Sequence, residues 1–175
     1  DNTVPFLAAS GPQMATVSEI GLIGVVTLSD SWSVRGGYQL LWLDGVALPG
    51  DQVPEHLAKK KADAVSHLVN DAIVIAADTV VLLDHHILGK PRDAANAKEI
   101  LQQLSGRMHK VVTGVCLRKA GKEVAFSVTT EVYFRKLTDE QIEHYITNYK
   151  PYDKAGAYAI QEWIGVLGIE KINGD

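Results

Sequence analysis

The stretch from Ala72 to Leu83 is apolar at nearly every position and carries one carboxylate, Asp78, in its middle. Valine, isoleucine and leucine fill both alternating sets, so the stretch reads as a central β-strand covered on both faces. An ionised carboxylate buried without a partner is very costly, so Asp78 must meet a cation, a metal or a ligand at the strand's end. A structural ion pair with a core lysine or arginine satisfies that demand, and so does a functional site. The stretch is too short for a bilayer span.

The surrounding pattern is that of one α/β unit. Val4 to Ala9 reads as a short strand, Ser10-Gly11-Pro12 as a turn, and the residues up to Gly21 as weakly helical, while Val25 to Gly50 has no clean period. Pro54 suits the first turn of a helix in which Leu57, Lys61, Val65 and Leu68 fall on one stripe. After the Asp78 strand, Asp84-His85-His86 is a turn into a short return strand. Asp93 is placed to cap a helix from about Ala94 to Leu104, with Gly106 just past its end. Val111 to Arg118 and Val124 to Phe134 read as a hairpin turning at Ala120-Gly121. Thr138 with Gln141 forms a capping box for a helix that Lys150-Pro151 stops. Ala157 to Ile172 reads as strand, loop and strand, completing a mixed sheet in a single domain over residues 1–175.

With 46% apolar and 22% charged residues and a net charge of −4, this is the mix of an ordinary globular protein without a broad basic face. Neither nucleic acid nor a membrane is therefore an expected partner. The lone Cys116 forms no internal disulfide, which suits the cytoplasm. The turn-forming Asn173-Gly174-Asp175 is expected to lead on into further chain.

Several other residues carry chemistry. Lys90, held between Gly89 and Pro91, is a cation able to hold a phosphate as a point charge, although Gly-Lys-Pro is also a common surface turn. Lys61, on an apolar stripe, either snorkels to the rim or reaches an anion. In Asp153-Lys154-Ala155-Gly156-Ala157-Tyr158-Ala159-Ile160-Gln161, small residues allow a ligand close to the backbone, and the Gln161 amide both donates and accepts. His85 and His86 have no third metal ligand at the usual spacing. A Walker loop, a Rossmann fingerprint and a Gly-x-Ser-x-Gly elbow are all lacking.

Taken together, Ala77-Asp78-Thr79-Val80-Val81, Ile87 to Asp93, Leu104 to His109, Val112-Thr113-Gly114-Val115, Thr129 to Val132 and Asp153 to Gln161 resemble the Maf family, in the family's own order, from about Pro49 onward. The resemblance implies an elongated, two-lobed, Maf/ITPase-like α/β fold. It also implies a cytoplasmic nucleoside triphosphate pyrophosphatase that uses Mg2+ or Mn2+ and forms a homodimer. The family is also known for inhibiting septum formation, and a non-catalytic nucleotide-binding regulator of cell division is the alternative. By position, Asp78 matches the base and a possible metal ligand, and Lys61 and Lys90 match phosphate-binding lysines. Thr79 and Gln161 match positions linked to choice of base, and Asp153 and Lys154 belong to the same substrate-binding motif. The ending is like that of members acting on dTTP and UTP, including modified uridine triphosphates. The first third departs from the family pattern: Gln13 and Met14 stand where two arginines are expected, an acidic motif has no clear match, and about a dozen residues around Ser31 to Trp42 look inserted.

Overall fold

A computed structural model of the chain describes residues 16–29, 32–44, 49–67 and 72–174, the first two segments as backbone only. Its contacts cluster into two compact units, Asp1–Ala47 and Leu48–Asp175, and each is described by itself.

In the first unit, strands β1 (Thr16–Ser29) and β2 (Trp32–Asp44) form an antiparallel hairpin. This corrects the weakly helical reading up to Gly21 and assigns part of the stretch left open after Val25. Gly24 pairs with Gly36 and Ile23 with Gly37, so the glycines that obscured the period lie within a ladder held by backbone bonds. The expected strand at Val4 to Ala9, and Gln13 and Met14, lie outside the described residues.

The second unit holds helix α1 (Val53–Ser66), strands β3 (Val74–Leu83) and β4 (His86–Leu88), helix α2 (Ala94–Leu104), strands β5 (Met108–Lys119) and β6 (Lys122–Phe134), helix α3 (Asp139–Tyr149), a 3-10 turn (Ala155–Ala157), helix α4 (Trp163–Gly168) and strand β7 (Ile169–Asn173). The α/β class holds. The sheet runs β4-β3-β5-β6-β7, and every described pairing in it is antiparallel, where a mixed sheet was expected. Tight turns explain most of this: Ala120 (φ 46°) and Gly121 (φ 79°) are both left-handed, the requirement of a two-residue hairpin.

Helix ends follow their local signals. Asp93 accepts from the Asn96 amide at 2.8 Å, and Thr138 and Gln141 form the reciprocal capping box. Lys150 ends α3 in the left-handed conformation before Pro151. The stretch after Ala157 differs from the expected strand, loop and strand: Gly156 (φ 69°) and Ala157 (φ 59°) turn the chain, and α4 precedes the final strand.

The main core gathers Val81, Leu101, Leu104, Val132, Ile142 and Tyr145 between the sheet and helices α2 and α3. Helix α1 lies on the other face. Its buried positions are Pro54, Ala58 and Ala62, beside rather than on the anticipated stripe of Leu57, Lys61 and Val65. Small residues are needed there because a Cβ on Gly114 of β5 would run into the Pro54 and Glu55 backbone. The helix therefore rides close to the sheet with Lys61 flanking its contact face. Strand β3 is covered on both faces only from Val80 to Leu83; before that it alternates, with Ile75 69% exposed, which corrects the reading of a strand buried throughout. The edge strand β4 pairs only with Val81 to Leu83.

Candidate active site

Asp78 lies where β3 passes from half-exposed to buried, and its register partner on β5 is Gly114. Neighbouring partners in an antiparallel ladder share a face, so Asp78 stands on the side where α1 approaches. Lys61, two turns into α1, donates to Asp78 Oδ1 and also reaches the Ala77 carbonyl at 3.3 Å. Both side chains keep access to solvent, at 38% for Lys61 and 18% for Asp78, so the pair closes the wall of a cavity instead of filling a core.

That cavity has a volume of about 610 Å3. Lys61, Asp78, Thr79, Lys90, Asp153 and Gln161 all line it, from α1, β3, the connection after β4 and the connection after α3. The size suits a small-molecule ligand. Thr79 Oγ1 lies 2.9 Å from Thr113 Oγ1 on the adjacent strand, its register partner. The hydrogen bond from Lys154 holds the Asp153 carboxyl below its ordinary pKa, and Lys90 lowers it further.

Lys154 does not line the cavity. Its Nζ lies 2.8 Å from Asp153 and 3.4 Å from Glu162, and the Asp153 hydrogen bond raises its pKa. Its place is behind the wall. His85 is exposed in the β3–β4 turn and His86 at the start of β4, and no group of three His, Cys, Asp or Glu side chains able to hold a metal is gathered among the described residues. None of the described helices is long and apolar enough to cross a membrane.

Sequence reasoning passed over most of the apolar lining. Val81, Val111 and Thr130 form one row across β3, β5 and β6, joined by register that single-strand patterns do not reveal. Tyr158 had a signal, its place between Ala157 and Gln161 in a motif of small residues. It lines the cavity, and its hydroxyl meets the buried His109 at 2.7 Å.

A family model described as "Maf-like protein" matches residues 44–175, well over half of the chain. The chain belongs to the Maf-like family. Among Maf-like relatives, it is 43% identical to the dTTP/UTP pyrophosphatase of Phocaeicola vulgatus, over 78% of this chain and 75% of that one. It is 47% identical to the protein of that name from Cytophaga hutchinsonii, over 74% of this chain and 60% of the relative. For the Porphyromonas gingivalis protein, also so named, the identity is 46% over 73% of this chain and 65% of the relative. The match thus spans less than two thirds of the latter two Maf-like proteins.

Proposed function

We propose that this chain is a nucleoside triphosphate pyrophosphatase that hydrolyses dTTP and UTP, with modified uridine triphosphates as further substrates, to the monophosphate and pyrophosphate. The observation that carries this reading is the meeting of Lys61, Asp78, Lys90 and Gln161 on one cavity. The names of the similar proteins support it.

A triphosphate brings several negative charges into the cavity, and Lys61 and Lys90 oppose them as point charges. Asp78 takes a proton from a water molecule as the water oxygen bonds to the α-phosphorus. The bond from that phosphorus to the bridging oxygen breaks, and pyrophosphate leaves with the bridging oxygen. Asp78 and Asp153 are hard oxygen donors on one cavity, which fits Mg2+ or Mn2+ shared with substrate phosphates. When bound, the ion supplies neutralisation of phosphate charge. Thr79 and Gln161 read the base, Gln161 by offering both a donor and an acceptor to the O4 and N3 edge of uracil or thymine. Lys154 serves the site by holding Asp153. By the family resemblance, the enzyme works as a homodimer in the cytoplasm.

The test is to incubate the purified protein with Mg2+ and each of dTTP, UTP, CTP and GTP and to measure pyrophosphate. Release from dTTP and UTP above the other two is the expected result. Binding without release would favour the nucleotide-binding regulator.

A further inference from the structure

Asp153, Ala155, Tyr158, Ala159, Ile160 and Gln161 reach the cavity from the single connection between α3 and α4. Apart from one 3-10 turn this connection has no regular ladder, so the position of its last residues depends on individual bonds. Two of them meet at one atom. The Tyr145 hydroxyl accepts from the Ala159 amide at 3.3 Å and donates to Glu162 Oε2. Ala159 and Glu162 stand immediately before and after the pair Ile160-Gln161, and the Glu162 amide closes the turn on the Ala159 carbonyl at 3.1 Å.

Tyr145 is itself immobilised. It is fully buried, and it sits on α3, whose first turn is capped and whose Ile142 and Ile146 also enter the core. Its ring stacks on Tyr149 with centroids 5.1 Å apart. Behind the turn, Lys154 Nζ approaches Glu162 Oε1 at 3.4 Å. Gly165 lies against the Ile160 carbonyl so closely that a Cβ there would collide with it. Tyr145 and Glu162 do not line the cavity themselves.

We infer that Tyr145 is a positioning residue for base selection: its hydroxyl pins Ala159 and Glu162 and so sets where the Gln161 amide stands in the cavity. This rests on Gln161 reading the base. A ring needed only for packing would serve without its hydroxyl, whereas a clamp would not.

Tyr145→Phe keeps the ring and removes both bonds. The UTP-to-CTP ratio of kcat/KM should fall about fivefold or more, chiefly through a higher KM for UTP. Without substrate, amide hydrogen exchange over residues 158–162 should quicken about tenfold while that of β5 stays the same. An unchanged ratio with unchanged exchange overturns the inference. Should Tyr145→Phe fail to fold, Glu162 decides: Glu162→Gln keeps an oxygen for the hydroxyl and should retain most of the ratio, whereas Glu162→Ala should lose it. Equal ratios in those two variants also overturn the clamp. If the wild type hydrolyses no triphosphate, the proposed function fails, and the exchange measurement still decides whether Tyr145 holds the turn.

Discussion

The Tyr158 hydroxyl lies 2.7 Å from Nε2 of His109, joining a cavity wall to a side chain that is 1% exposed. Phe134 completes an edge-to-face cluster with both rings. Burial lowers the His109 pKa from the ordinary 6.5 to about 4, and burial pushes the Tyr158 hydroxyl above its usual range. The His109 Nδ1 has no hydrogen-bond partner, so a second ring proton would be buried unpaired.

A depressed histidine pKa makes the folded state disfavour protonation, so stability falls as pH drops. The unfolded chain begins to bind the proton near 6.5 and the native one only near 4. The contribution is fully present above about 6.5, and it shrinks by at most about 3 kcal/mol as pH falls towards 4. Denaturant titrations at pH 7 and pH 5 should show a smaller pH-dependent loss in His109→Gln than in the wild type. Equal losses would mean that His109 does not titrate in this way.

Asp78→Asn retains size and polarity but removes the proposed base. Turnover of UTP should fall by about a hundredfold or more. Folding should survive, because Lys61 is partly exposed and can turn to water when its anion is lost. Near-normal turnover in a folded variant would take the base role away from Asp78.

Gln161→Ala removes the amide from the cavity while leaving the turn's backbone bonds in place. Its kcat/KM for UTP and dTTP should drop by about tenfold or more, and the advantage of both over CTP should narrow. The four triphosphates compared on wild type and variant measure this. An unchanged order of preference would remove Gln161 from base reading.

Metal dependence should appear in turnover and not in folding. In the proposed function, Asp78 and Asp153, which both line the cavity, offer oxygens to an ion whose remaining ligands come with the substrate. EDTA should therefore abolish pyrophosphate release and leave the melting temperature of the ligand-free protein nearly unchanged. A large fall in melting temperature on chelation would point to a structural metal.

Gly114→Ala should destabilise the second unit by about 2 kcal/mol or more, because the new methyl group meets α1 backbone that cannot move as a side chain can. It should also raise KM for UTP, since α1 carries Lys61 to Asp78. Equilibrium unfolding and steady-state kinetics on the same variant test both effects. A variant as stable as the wild type would show that α1 gives way without cost.

Local sequence determined what depends on local chemistry. The caps at Asp93 and Thr138, the turn at Ala120-Gly121 and the stop at Lys150-Pro151 each involve groups a few residues apart, so their residue types were sufficient. Asp78 was marked for the same reason: a carboxylate in an apolar strand demands a partner wherever the strand goes. Which partner it meets was decided only in three dimensions, because Lys61 arrives through the approach of α1 to Gly114, a contact between residues far apart in the chain. Lys154 likewise turns to Asp153 and Glu162 because the α3–α4 connection folds back on itself. A residue's type states which contacts it needs; packing of distant segments decides which of them it makes.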